Sequence, residues 1–389
     1  MGRSLARTVA KMNEPPAALS LVGRVIAPED RGLRLLTVED GRIVDIGDVR
    51  DAPADAMGGR DAWIIPGLID MQLNGAFGID FTDPTADLVP AAAALPSTGV
   101  TAFLPTLVSS PPDVYPAFLD RLASPMPDGA ARVLGAHLEG PFLASSRRGM
   151  HDSAALRAPD LDELRGWLDF GVVRTVTLAP ELPGAAALIA ELSSRGVIAA
   201  IGHSDATWGE ADAAIRAGAS MGTHLFNGMR PFHHRDPGIV GRLLAAGAAV
   251  SLVIDGVHVA PEMVLVVASI KRPDELVFVT DGLAALAQPP GEYRLGGRAV
   301  VSDGSAARLP DGTLCGSVVP MAIALGRLVG AGLDPAVAVR AASTTPAALL
   351  GVEEACGRLE SGRIADLVLL DRDWNPQLTL VRGRIGHRP

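Results

Sequence analysis

Short apolar runs that stop at a glycine, a proline or a polar residue recur along most of this chain, and their period changes twice. Near the N-terminus they are brief and turn-separated: residues 21–26, then 33–38, then 42–47 after the Glu39-Asp40-Gly41 turn. Alternation of this kind predicts strands joined by a hairpin. The C-terminus repeats it at 365–370 and 378–385. A small β-sandwich domain assembled from both termini, residues 19–65 plus 359–389, is expected from this symmetry.

Between the two ends, continuous apolar runs alternate with stretches of helical spacing. Strands are predicted at 64–73, 100–108, 133–139, 172–178, 197–203, 220–224, 249–255 and 276–281. Helices are predicted at 159–170, 207–217 and 261–270, with Gly171 and Gly218 as stops after two of them. Eight such alternations over residues 66–358 predict the α/β class with a (β/α)8 TIM-like barrel, whose chemistry belongs at the C-terminal strand ends. The Gly-, Asp- and Arg-rich stretch 293–313 reads as an inserted hairpin or loop, and 319–329 and 335–350 as closing helices. Residues 1–18 hold Arg3, Arg7 and Lys11 but no continuous apolar segment, so a frayed tail is expected rather than a secretory leader. Pro15-Pro16 cuts short any amphipathic anchor there.

Composition narrows the partners. A net charge of −10 leaves no basic stripe for nucleic acid, although a small anionic substrate needs only one or two local cations. No apolar run approaches the roughly 18 residues of a membrane span. Cys315 and Cys356 form no CxxC pair, which suits a reducing cytosol.

Against that frame of strands, Glu139, His203, His224 and Asp281 each fall at the end of a predicted strand. A strand-end Glu is ordinarily a solvated carboxylate, and a His in an apolar run a hydrogen-bonded core residue. Converging on one barrel mouth, such polar groups need a partner. One carboxylate and two imidazoles hold a hydrolytic Zn²⁺ with a coordination position left open, and Fe²⁺, Co²⁺ or Mn²⁺ suits the same donors. Asp281 is then the candidate general base and acid, against the commoner use of Asp-Gly as a turn. His258 has two readings: it polarises the scissile carbonyl or holds a substrate hydroxyl, or it is a helix-start residue facing water. His137 shares a strand face with Glu139 and is expected behind the metal or packed inside the barrel. His151 is placed in a flexible loop past the third strand, within reach of the mouth. Arg235 is expected to open a helix, as a phosphate site or else as a partner of Asp236 or a solvated charge. Gln72 and Asn74 stand where many metal-hydrolase barrels carry His-x-His. Amides are weak ligands, and the fourth strand has no Lys to bridge two ions, so one metal is expected.

Several strings carry a resemblance: Pro66-Gly67-Leu68-Ile69-Asp70, His137-Leu138-Glu139-Gly140-Pro141, Thr177-Leu178-Ala179-Pro180-Glu181, Gly202-His203-Ser204, Thr223-His224-Leu225-Phe226-Asn227, Asp255-Gly256-Val257-His258 and Thr280-Asp281. From about residue 19 to about 385 the chain resembles the amidohydrolase superfamily and, within it, the N-acetylglucosamine-6-phosphate deacetylases. The resemblance implies hydrolysis of the acetamide of N-acetyl-D-glucosamine 6-phosphate to D-glucosamine 6-phosphate and acetate, in amino-sugar catabolism and cell-wall recycling. It implies Glu139, His203 and His224 on the metal, Asp281 as acid and base, and His258 and His151 on the substrate. It further implies that Asn227 contacts substrate through its side chain and Gly228 through its backbone. Arg235 would bind the sugar phosphate across the interface of a homodimer. Gly228 stands where Ala is usual, which is expected to loosen its loop. Other readings are a deacetylase of N-acetylgalactosamine 6-phosphate, a cyclic-amide hydrolase, or an inactive barrel used for assembly.

Overall fold

The computed structural model describes residues 18–389, and the expected tail lies outside the described residues except for Ala18, which opens the first strand. Seven strands drawn from both ends of the chain join in one sheet, in the spatial order Arg384–His387, Pro376–Val381, Leu367–Leu370, Met57–Pro66, Ala18–Ile26, Asp30–Glu39, Arg42–Gly47. The sheet curls back so that the segment leading into Leu367–Leu370 reaches the Arg42–Gly47 edge: the Ala365 N–H donates to the Gly41 carbonyl at 2.8 Å, and the Gly362 N–H to that of Ile43 at 2.7 Å. Leu21, Leu36, Ile43, Ile64, Leu367 and Leu380 share the core thus enclosed.

The first predicted strand, 64–73, is in fact two strands. Ile64, Ile65 and Pro66 pair with Leu369, Val368 and Leu367 in the small sheet, and Leu68–Leu73 starts the barrel. Gly67 makes the crossing, pressed so close to Thr101 that a Cβ would come within 2.1 Å of Oγ1. Hydrophobicity does not change at this border because both flanking segments are buried.

The barrel strands are Leu68–Leu73, Val100–Val108, Ala136–Glu139, Val173–Leu178, Ile198–Ile201, Met221–Gly222, Ala249–Val253 and Leu276–Val279, each parallel to the next. Just past their ends the last meets the first, through Asp281 N–H to Gln72 O at 2.9 Å and Asn74 N–H to Gly282 O at 2.7 Å. Met71, Leu104, Ala200, Val253 and Val277 fill the interior, as in a packed barrel rather than a pore. The predicted strand 133–139 is interrupted at Leu134-Gly135, where Gly135 takes φ +136°.

Helices start where capping chemistry allows. Thr207 and Glu210 form a capping box ahead of Trp208–Arg216, and Asp160 caps Leu161–Leu168. Gly171 and Gly218 end these helices in the left-handed region, as expected. The predicted helix 335–350 divides into Pro335–Ala342 and Thr344–Leu349. Pro346 lacks an N–H and its ring would strike the Ala342 carbonyl, so the helix cannot run through. The helix after Arg235 begins only at Gly238, so Arg235 sits in the preceding exposed turn rather than opening the helix. The inserted stretch is a hairpin, Gly291–Leu295 with Arg298–Ser302, widened by Ala307–Arg308 and Leu314–Cys315. No helix among the described residues is long and apolar enough to cross a membrane.

Candidate active site

The C-terminal ends of the barrel strands deliver the chemistry with a regular offset. Glu139 is the last residue of the third strand, and His203, His224, Asp255 and Asp281 each lie two residues past the fifth, sixth, seventh and eighth. His203, His224 and Asp281 take φ values of 47°, 29° and 51°. Non-glycine residues hold this left-handed conformation only where the surroundings impose it, and such positions cluster at functional sites. It turns the three side chains inward, over the barrel mouth.

Three donors converge there. His203 Nε2 lies 3.0 Å from Glu139 Oε1, His224 Nε2 lies 2.8 Å from the same oxygen, and the two Nε2 atoms are 3.1 Å apart. All three residues are buried. The Nδ1 of His203 donates to the Arg147 carbonyl at 2.9 Å, which leaves a lone pair on Nε2. That lone pair faces a carboxylate oxygen, so two acceptors meet with no proton between them. A cation satisfies the set, and the spacing is close to the roughly 3.3 Å between ligands around a tetrahedral zinc. Burial alone would raise the Glu139 carboxyl, but a protonated imidazole at either position would donate to Oε1 instead, and such bonds outweigh burial and hold the carboxyl well below the usual range.

His151 lies against the same centre but in the opposite tautomer. With Glu139 and His203 it forms a group whose donor atoms lie within 4.8 Å of one another. Its Nδ1 accepts the Ser109 N–H at 3.1 Å, so its proton sits on Nε2, 3.9 Å from Glu139 Oε2. Burial and then His203 push it down to about 3, which keeps it neutral. It is therefore shaped to donate a hydrogen bond rather than to ligate. Its ring is buried, which corrects the flexible loop expected from sequence.

Asp281 receives two amide donors on one oxygen: Asn74 Nδ2 at 2.7 Å and Gln72 Nε2 at 3.1 Å, both to Oδ1. Burial and then the Glu139 charge push its carboxyl up to about 6. Gln72 also donates to Glu139 Oε1 at 3.1 Å, tying Asp281 to Glu139. His258 does not face water: its Nδ1 lies 2.7 Å from Asp255 Oδ2, and its side chain is 6% exposed. Asp255 in turn accepts the N–H groups of Val257 and His258 on Oδ1. His137 packs inside the barrel against Thr177 Oγ1 at 2.8 Å, and burial pushes it down to about 4.

One cavity of about 250 Å³ joins Glu139, His151, His203, His224, Asn227, Gly228, His258 and Asp281, with Val108, Met150, Leu295 and Leu314 as its apolar walls. Arg235 is not among its lining residues. Asp236, the partner weighed for it from sequence, pairs instead with Arg230 at 2.8 Å. Gly228 is not loosened. Its carbonyl accepts the Ser204 N–H at 2.9 Å, and at φ +58° any Cβ would press within 2.8 Å of His203 Nδ1. Asp255, Ser109 and the Arg147 carbonyl had no assigned role from sequence. The Asp-x-x-His spacing was the one legible signal among them, since an Asp there bonds backbone N–H groups two and three residues on.

The amidohydrolase family model matches residues 63–386. The chain is 41% identical to the human N-acetylglucosamine-6-phosphate deacetylase over 381 residues, covering 93% of this chain and 89% of the human protein. It is 35% identical to an N-acetylgalactosamine-6-phosphate deacetylase of Escherichia coli O157:H7, covering 84% of this chain and 89% of that protein. Its fold superimposes with a TM-score of 0.87 and 34% identity on a mutant N-acetyl-D-glucosamine-6-phosphate deacetylase of Mycobacterium smegmatis solved in complex with N-acetyl-D-glucosamine 6-phosphate, covering 95% of this chain and all of that one. With a barrel and a carboxylate-imidazole centre of this form, the chain belongs to the amidohydrolase family, in the branch that holds these sugar-phosphate deacetylases.

Proposed function

We propose that this chain hydrolyses the acetamide of N-acetyl-D-glucosamine 6-phosphate to D-glucosamine 6-phosphate and acetate, with one divalent metal held by Glu139, His203 and His224. The observation that carries the reading is the convergence of His203 Nε2 and His224 Nε2 on Glu139 Oε1, at 3.0 and 2.8 Å, beside a buried Asp281. Neutral imidazoles with a carboxylate suit zinc, and Fe²⁺, Co²⁺ or Mn²⁺ fits the same donors. The ion supplies Lewis-acid polarisation and a nucleophilic water at neutral pH.

The chain's own residues do the rest. Asp281 takes the proton of the attacking water and returns it to the amine nitrogen as the C–N bond breaks. Both amide donors sit on Oδ1, so Oδ2 carries that proton. His258, oriented by Asp255, and His151, whose proton is on Nε2, hold the carbonyl and a sugar hydroxyl. Asn227 and the Gly228 backbone line the sugar side. Gln72 and Asn74 donate N–H groups to carboxylates, which supports a single ion rather than two.

The phosphate falls to Arg235 of a second copy in a homodimer. Arg235 is exposed and without a carboxylate partner among the described residues. Phe232 in the same segment is 53% exposed, and Met263, Val266 and Ile270 form an exposed apolar stripe on the helix after His258. Apolar surface of this kind favours association. The free, buried thiols of Cys315 and Cys356 suit the cytoplasm, where amino-sugar catabolism and cell-wall recycling supply the substrate.

Likeness to the E. coli O157:H7 relative supports a second reading, in which the preferred sugar is N-acetylgalactosamine 6-phosphate. The test is acetate release by Zn²⁺-loaded protein from both epimers, before and after chelation. Turnover that chelation abolishes and Zn²⁺ restores, with the higher kcat/KM on the glucosamine epimer, is expected. Preference for the other epimer gives the second reading, and an inert loaded protein leaves the assembly role.

A further inference from the structure

We propose that Glu181 is a positioning residue for the metal ligand His203, an inference that rests on the single-metal reading above. Glu181 follows the fourth barrel strand and does not line the cavity. Its carboxylate is nonetheless spent on the two residues that come after His203. Oε2 accepts the Ser204 hydroxyl at 2.7 Å, and Oε1 accepts the Asp205 N–H at 2.6 Å. Ser204 Oγ accepts the Ala206 N–H at 3.0 Å in the same turn.

From Asp205 the contacts lead back to the ligand. Its carboxylate takes Arg147 Nε at 2.8 Å, and the carbonyl of that same Arg147 receives the Nδ1 proton of His203. Glu181, Asp205, Arg147 and His203 thus close a ring of contacts. The ring fixes two things a ligand needs. One is the tautomer: the Arg147 carbonyl keeps the proton on Nδ1 and the lone pair on Nε2. The other is the backbone. His203 is held at φ +47°, a conformation it would leave if the chain on either side relaxed. Gly202 N–H to Leu178 O, at 3.2 Å, anchors the preceding residue, and Glu181 anchors the following ones.

A brace that merely stabilises the loop would change the melting temperature of the metal-free protein without changing its grip on the ion. A positioning residue changes the grip. The experiment is Zn²⁺ affinity by competition with a chromophoric chelator, together with the Tm of the metal-free forms. The wild type is compared with Glu181→Ala, Glu181→Gln and Ser204→Ala. Loss of an outer partner of a metal ligand typically costs about 10–100-fold in affinity. Glu181→Ala is expected to fall in that range. Glu181→Gln, which keeps an acceptor for the Asp205 N–H, should recover part of the loss. Ser204→Ala, which removes one of the two bonds, should show a smaller loss and serves if Glu181→Ala does not fold. Wild-type affinity in the folded variants, whatever their Tm, overturns the inference alone. A wild type that takes up no ion overturns the metal reading and the inference with it.

Discussion

The side-chain amide of Asn74 donates to Oδ1 of Asp281 across 2.7 Å. Gln72 reaches the same oxygen from two residues earlier, so the first barrel strand presents two N–H groups to the proposed base. In the proposed reaction these donors leave Oδ2 to move the proton. Removing one hydrogen bond to a buried charge costs about 1.5–3 kcal/mol. Asn74→Ala should therefore lower kcat by roughly 10-fold or more, with KM and bound metal near wild type. Asn74→Asp, which sets a second carboxylate against Asp281, should lose more. Steady-state kinetics at saturating metal measures both, and an unchanged kcat in Asn74→Ala would remove the role.

As the proposed base, Asp281 acts only when ionised. Burial and the Glu139 charge push its carboxyl up to about 6. A cation at the centre draws it lower, so kcat/KM should be flat through neutral pH and fall along an acid limb at or below about 6. Asp281→Asn should abolish that limb together with about 10²–10⁴ of kcat, while metal content and substrate binding persist. A pH profile with metal analysis reads all three.

Gly228 has little room for a side chain in this backbone. With φ +58° and a would-be Cβ 2.8 Å from His203 Nδ1, Gly228→Ala must displace the imidazole or its Arg147 carbonyl partner. The expected outcome is about a 10-fold or greater loss of metal affinity at little cost in far-ultraviolet helicity. Chelator competition checks it. A variant that binds metal as tightly as wild type would show that the loop yields instead.

These cases show where the sequence was legible. The convergence of Glu139, His203, His224 and Asp281 on the barrel mouth was legible because a polar residue closing an apolar run marks a strand end. The barrel itself followed from alternation alone. The brace around His203 was hidden because one of its members is a main-chain carbonyl, which every residue has. Gly228 reads as slack in the sequence because the ring it accommodates belongs to another strand end. The border at Gly67 carried no signal, since one apolar run serves both the small sheet and the barrel. The sequence leaves His258 two readings, and the Asp255 carboxylate beside its ring decides against a water-facing helix start.

Arg235 allows a test that needs no structure of an assembly. It is exposed and lies off the cavity of its own chain, while Asp281 lines that cavity. If each site takes its base from one copy and its phosphate-binding guanidinium from the other, two impaired variants repair each other at substrate concentrations well below the KM of Arg235→Ala. In a hybrid of Arg235→Ala with Asp281→Asn, one site keeps Asp281 and receives an intact Arg235 from its partner, and the other site has neither. Random reassortment of the two dimers makes half of them hybrids, so about a quarter of all sites should recover full turnover. Arg235→Ala alone should raise KM far more than it lowers kcat, because phosphate binding is remote from the bond that breaks. Activity that returns on mixing and then dissociating and reassociating the subunits is the expected result. Mixed variants that stay at the sum of their separate activities would place Arg235 outside the site.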